Sequence, residues 1–331
     1  MSVKLLLLFS MSRILTGIQS SGKPHLGNIL GAILPAIELS KTKESLFFIA
    51  DLHALTTTKD PKKLQENTLA TAATWLAFGL DTSYNILYKQ SDVPQVTELM
   101  WYLNCITPFP MLANAHSFKD KSNKLSDVNA GLFTYPVLMA ADIILYDANI
   151  VPVGKDQLQH LEITRDIAKS FNHIYGETFV IPEAKIKEDS MIIPGTDGQK
   201  MSKSYNNCIH ILENEKILKK QIMKIHTDSK GLDEIKDPDT CNIVKIYKLI
   251  GDPKNCENLE KKYRNGGFGY GHAKSELLDL ILTKYNLPRL KFQELMDNPE
   301  VIEKELEKGA KKANQIASAV MKKVKKNIGL M

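Results

Sequence analysis

Two segments far apart in the chain carry residue types suited to phosphate chemistry. The first runs Gly17-Ile18-Gln19-Ser20-Ser21-Gly22-Lys23-Pro24-His25-Leu26-Gly27-Asn28, after the apolar pair Ile14-Leu15 and before the periodic Ile29, Ala32, Ile33 and Ile37. That order reads as strand, loop, helix. Its glycines and serines let backbone close on a ligand, and the free N–H groups and positive dipole end of the following helix favour an anion. The spacing fits neither GxxxxGK[ST] nor GxGxxG; instead His25 stands at the mouth of the helix. From this segment alone a plain structural turn remains open. The second segment, Lys200-Met201-Ser202-Lys203-Ser204, follows the turn-rich Pro194-Gly195-Thr196-Asp197-Gly198 and offers two ammonium groups that could meet phosphate or could be solvated charge. A third feature is Asp142, a lone carboxylate in the apolar run Gly131 to Tyr146, where it must be hydrogen-bonded, as a cap, a buried ion-pair partner or a ligand acceptor.

The elements that position these residues alternate. Ser45 to Ala50 reads as a buried strand, Pro61 to Phe78 as a helix with proline in its first turn, Asn85 to Tyr88 as a strand, and Gly131 to Tyr146 as a buried helix. Val151-Pro152-Val153-Gly154 is a short strand leading into a helix through His160, Leu161, Ile163 and Ile167. This βαβ order predicts an α/β fold with a Rossmann-like parallel sheet, whose ligands collect at the carboxyl ends of its strands. Pro108 to Leu125 is polar and lysine-rich and reads as a loop carrying Lys119 and Lys121. Beyond Leu212 the strand signal ends and runs such as Ile217–Ile225, Ile243–Ile250, Ser275–Leu282 and Val301–Leu306 predict a smaller all-helical domain. The glycine-rich Asn265 to His272 has no strand before it and reads as a structural turn. From Lys308 to Lys326 there are seven lysines and no acid, with Ala313, Ile316, Ala317, Val320 and Val324 at helical spacing, so one face packs and the other is basic.

With 331 residues, 43% hydrophobic and 24% charged, the chain can bury a large core and a smaller one. The net charge of +5 is carried almost wholly by lysine, since only Arg13, Arg165, Arg264 and Arg289 are arginine; such charge suits a phosphate backbone more than bidentate base reading. Cys105, Cys208, Cys241 and Cys256 form no CxxC pair, which points to a reducing cytoplasm and to no metal site. No segment approaches a bilayer span. Residues 1–10 lack a cleavage site and read as an extension or misassigned start.

The two phosphate segments together resemble the signatures of the class I aminoacyl-tRNA synthetases, a HIGH-type tetrapeptide at His25-Leu26-Gly27-Asn28 and a letter-perfect KMSKS at 200–204. Thr16 to Gln19, Tyr135 to Ile143 and Val151 to Gln157 are similar to the bacterial tryptophanyl-tRNA synthetases, in which Asn28 is the usual last residue of the tetrapeptide. The resemblance runs from about Met11 to the C-terminus. It implies a catalytic domain over 11–204, a helical anticodon-binding domain over 205–300 and a basic C-terminal helix over 301–331 that packs back on the catalytic domain. It implies ATP and Mg²⁺, L-tryptophan and tRNA(Trp), a homodimer, and no membrane.

By the same resemblance His25, Lys200 and Lys203 are catalytic. Gln19, Ser20, Ser21, Gly27, Asn28 and Lys121 meet ATP, with Gly154, Lys155, Asp156 and Met191 about its adenosine and Met201, Ser202 and Ser204 in the KMSKS loop. Leu15, Gly17, His53, Tyr135 and Met139 form the tryptophan pocket with Asp142, Ile143, Val151, Val153 and Gln157, although without the resemblance His53 reads first as a satisfied strand-end histidine. An Asp142 that waits unpaired for the indole N–H would reject analogues lacking that donor by about 10⁴–10⁵. Three other readings stay open: a tyrosyl-tRNA synthetase, which would place a tyrosine where Leu15 stands; a smaller nucleotidyltransferase; and a non-catalytic RNA-binding paralogue.

Overall fold

The computed structural model describes residues 13–115, 118, 128–154, 157–186 and 192–331. The expected extension at 1–10, and with it Lys119, Lys121, Lys155, Asp156 and Met191, lies outside the described residues. Strands β1 (Ile14–Gln19), β2 (Ser45–Ala50), β3 (Ile86–Lys89), β4 (Ile150–Val153) and β5 (Glu183–Ile186) form one sheet in the order β3-β2-β1-β4-β5, every pairing parallel. The α/β, Rossmann-like expectation holds. The chain winds outward from β1 to β3, then returns to the other side of β1 for β4, so the crevice lies between the loops that leave β1 and β4.

Alternation along the strands divides the core. Phe47, Ile49 and Leu87 face one layer; Leu46, Phe48, Ala50 and Tyr88 face the other. On the first face lie α1 (Leu26–Asn28), which continues through a π-helical turn at Ile29–Ile33 into α2 (Leu34–Ser40), and α4 (Pro61–Ala77), whose Trp75 is fully buried against Phe47 with ring centroids 4.8 Å apart. The short α3 (Asp51–Ala54) leaves the end of β2. The second face is covered by α5 (Gln95–Asn104), α7 (Ala130–Ile144) and α8 (Leu158–Tyr175). The stretch expected to be a loop from Pro108 contains a helical turn, α6 (Phe109–Ala113), because Pro108 and Pro110 preset its first residues and Leu112 is buried.

Past the sheet come α9 (Glu215–Met223), α10 (Asn242–Ile250), α11 (Pro253–Asn265), α12 (Tyr270–Lys284) and α13 (Asn286–Asp297). Their apolar residues join the first core layer through α4 rather than forming a separate core. The glycine-rich stretch at 265–272 closes α11 and opens α12, with Phe268 and Tyr270 packed 6.0 Å from the buried Tyr263 ring. One helix, α14 (Pro299–Asn327), closes the chain. Its buried Ala313, Ala317, Val320 and Val324 lie in the second layer, beside β3. Gly309 makes that approach possible: a Cβ there would stand 1.7 Å from the carbonyl oxygen of Leu87.

Candidate active site

At the crevice, β1 runs into residues 20–25 and then α1. His25 caps that helix: its Nδ1 accepts from Asn28 N–H at 3.3 Å, while its own N–H donates to Asn28 Oδ1 at 3.1 Å. The Asn28 side chain is therefore spent, at least in part, on the cap. An accepting Nδ1 puts the imidazole proton on Nε2, which is left to donate. His25 is 6% exposed, and burial first, then the charge of Lys203 and the neighbouring His210, push its pKa down to about 4, so the ring is neutral at pH 7. His210 meets it edge-on at 6.2 Å and donates from Nδ1 to Pro24 O at 3.3 Å. Ser20 is fully buried, and its Oγ has no hydrogen-bond partner among the described residues.

The second segment folds over this loop. Lys203 Nζ donates to Gly22 O at 2.6 Å, across 181 residues of chain, and burial pushes its pKa down to about 8. Gly27 N–H donates to the buried Met201 Sδ at 3.3 Å, Leu26 N–H to Ile209 O at 2.8 Å. Buried Asn207 fixes the turn: its Oδ1 accepts from Ser202 N–H at 2.8 Å, and its amide donates to Asp197 Oδ1 at 2.7 Å and Lys200 O at 3.1 Å. Ser202 Oγ accepts from Ser204 N–H. The Lys200 and Ser204 side chains are exposed. So the structure brings His25, Met201 and Lys203 to the phosphate-type loop and leaves Lys200 at its rim.

The other end of the crevice is apolar with a polar centre. Leu15, Ile143, Val151 and Val153 are buried in the second core layer, with Met139 partly buried beside them. Gly17 is required there, since a Cβ would meet the Phe48 ring at 2.3 Å. Tyr135 stands edge-on to His53 at 6.1 Å, and its hydroxyl pairs with His160 Nε2 at 2.8 Å. Gln19 donates to His53 O at 3.0 Å. Gln157 N–H donates to Gly154 O at 2.9 Å where β4 turns into α8.

Asp142, 3% exposed, is not an unpaired carboxylate waiting for a ligand. Gln90 Nε2 donates to Oδ1 at 2.8 Å and to Oδ2 at 2.9 Å, and His53 Nε2 reaches Oδ2 at 2.8 Å. Burial pushes its pKa up while these two partners hold it down. The expectation of 10⁴–10⁵ discrimination through an orphaned carboxylate is corrected accordingly: loss of one charge-assisted hydrogen bond is worth about 1.5–3 kcal/mol, roughly 10- to 150-fold. Sequence reasoning missed Gln90, His160, Asn207 and His210. For Gln90 the available signal was its place just past a strand, where sheet ligands gather; no local pattern marks the other three.

A family model for class I tRNA synthetases (W and Y) matches residues 10–285. The tryptophan–tRNA ligase of Fusobacterium nucleatum is 50% identical over 322 residues, covering 97% of this chain and 99% of that protein. That of Rhodopirellula baltica is 47% identical over 318 residues, 96% and 99% of the respective chains. The crystal structure of the Campylobacter jejuni tryptophanyl-tRNA synthetase complexed with ADP and tryptophan superposes with a TM-score of 0.92 at 47% identity, covering 96% of this chain and all of that one. A family match over most of the chain and full-length relatives near half identity agree on one placement: the chain belongs to the class I tRNA synthetases of the tryptophan and tyrosine group, and within it to the tryptophan–tRNA ligases.

Proposed function

We propose that this chain activates L-tryptophan with ATP, forming tryptophanyl-adenylate and pyrophosphate, and transfers the tryptophanyl group to tRNA(Trp). The observation that carries the chemistry is the meeting of two distant segments, Lys203 Nζ on Gly22 O beside the His25 cap. The tryptophan carboxylate is ionised at neutral pH and needs no base to attack the α-phosphate; it needs alignment and relief of charge on the phosphates. Neutral His25 donates from Nε2 without bringing a positive charge into the buried loop. Charged Lys203, joined by the exposed Lys200, stabilises the departing pyrophosphate. Ser20, Ser21, Gly27 and Gly154, with Lys155, Asp156, Lys121 and Met191, hold the nucleotide on this reading. Mg²⁺ bound together with ATP would help to neutralise charge on the triphosphate.

The indole lies among Leu15, Met139, Ile143 and Val153, with its N–H on Asp142. The helical part after 204 and the lysine face of α14 take the tRNA. On α14, Lys304, Lys308, Lys311, Lys312, Lys322 and Lys326 are exposed and fall within about 100° of arc at 3.6 residues per turn, opposite the buried alanines. A second copy of the chain covers the apolar surface around Trp101 and Phe109, which are 67% and 70% exposed. No helix among the described residues is long and apolar enough to cross a membrane, and we assign the protein to the cytoplasm.

ATP–pyrophosphate exchange with each amino acid in turn tests the assignment. Exchange dependent on tryptophan is expected; exchange with tyrosine, or with none, overturns it. Sedimentation giving only monomer at micromolar concentration removes the dimer.

A further inference from the structure

Gln90 is 1% exposed at the end of β3, and both ends of its amide are committed. Oε1 accepts from Leu52 N–H at 3.1 Å and His53 N–H at 3.4 Å, the first turn of α3. Nε2 reaches both oxygens of Asp142 at 2.8 and 2.9 Å. One side chain thus ties the exit of β2, the exit of β3 and the middle of α7. Its neighbour Ser91 takes Asp51 in the same way, by N–H at 3.0 Å and by hydroxyl at 2.5 Å. Two buried acids are therefore held apart by consecutive residues of one turn.

We propose that Gln90 is a specificity-determining positioning residue, whose amide clamps Asp142 so that Oδ2 is filled by Gln90 and His53 while Oδ1 keeps a lone pair for the indole N–H. This rests on Asp142 being the acceptor for tryptophan. An acid with a fixed rotamer and one open acceptor site rewards a ligand that donates there. An acid held only by His53 turns toward other partners or takes up a proton, and the reward falls. Shape recognition by the apolar walls is untouched by that change. Gln90 is thus expected to act on the N–H of the substrate and not on ATP.

Gln90→Met, unbranched and of similar volume, removes the donors to Asp142 together with the acceptor for Leu52 and His53 N–H, and keeps the side-chain bulk. Kinetics of exchange are measured for tryptophan and for the analogue with sulfur in place of the indole nitrogen. The expected loss in kcat/KM is roughly 10- to 100-fold for tryptophan, the value of charge-assisted hydrogen bonds, and under about threefold for the sulfur analogue. KM for ATP stays at the wild-type value. Gln90→Glu adds a third buried acid to a site faced by His53, Asp51, Tyr88 and Tyr146. The introduced carboxyl and Asp142 then share one proton, and kcat/KM for tryptophan at saturating ATP falls by about tenfold per pH unit once that proton leaves, a limb additional to the one that Lys203 gives the wild type. Equal losses for both substrates, a raised KM for ATP, or no new pH limb in Gln90→Glu would overturn the role of Gln90. Wild-type enzyme that uses both substrates equally would instead overturn Asp142 as the acceptor, and the inference with it.

Discussion

We predict that Lys203 sets the alkaline edge of activity. Its ammonium is partly buried beneath the glycine-rich loop, which lowers its pKa from 10.5 to about 8. His25, with a pKa of about 4, is neutral through the whole working range. Between those two values the free enzyme holds a neutral donor and a positive charge, the pair that phosphate activation needs. Since kcat/KM for ATP reports the free enzyme, a pKa near 8 implies a fall of roughly thirtyfold between pH 7 and 9.5, where an ordinary lysine would give less than about 1.2-fold. The limb for kcat lies higher, because bound triphosphate favours the charged form. Cys208 is the other nearby group, and burial pushes its thiol up to about 11, outside this window. Lys203→Arg keeps the charge to higher pH. Pyrophosphate exchange across pH 6 to 10 in the wild type and this variant decides the matter. A wild-type profile flat past pH 9, or a variant that still turns down near 8, refutes the assignment of the limb to Lys203.

Other predictions follow from the same geometry. Because Lys203 has a lower pKa folded than unfolded, the unfolded chain binds more protons between about 8 and 10.5 and this lysine costs stability below that window; Lys203→Met should melt higher than wild type at pH 7, with the gap closing as pH rises through the window. His25→Ala should slow exchange by about 10²–10³ without loss of tryptophan affinity, measured by exchange and by equilibrium binding. Gly309→Val should lower the melting temperature sharply, since even a Cβ would meet Leu87 O at 1.7 Å; a melting curve equal to wild type would mean that α14 can leave β3. Charge reversal at Lys311, Lys312, Lys322 and Lys326 should weaken aminoacylation and flatten its salt dependence while sparing exchange. Lys323 and Lys325 are left out because they pair with Asp147 at 3.7 Å and Glu98 at 2.7 Å, and reversing them strikes the fold.

What was legible in the sequence is what local rules write. The parallel sheet could be read because buried strands alternate with periodic helices, and the 17–28 turn as a candidate phosphate loop only because Lys200 to Ser204 stands with it downstream. Both segments proposed to hold phosphate were visible as motifs, and their contact, Lys203 on Gly22, needed only the expectation that they meet. The helical region was legible as helices, yet its fusion to the first core layer through α4 was not, because which apolar faces share a core is a tertiary matter.

The miss at Asp142 has a different cause. A lone acid in an apolar helix announces that it needs partners but not which ones, since a hydrogen-bond donor can arrive from any element that packs against it. Here they come from β3 and α3, 52 and 89 residues earlier, through Gln90 and His53. Gln90 belongs to no motif, and a glutamine after a strand is chemically unremarked until its amide is seen between two backbone N–H groups and a carboxylate. That difference changes the physics of recognition. An orphaned acceptor rejects the wrong ligand by the full cost of burying an unsatisfied charge, whereas an acceptor already clamped by its own protein grades ligands by a single hydrogen bond. If Asp142 accepts the indole N–H as proposed, the apolar walls and the clamp share the discrimination, and the substrate analogue that keeps shape while losing the N–H measures how they divide it.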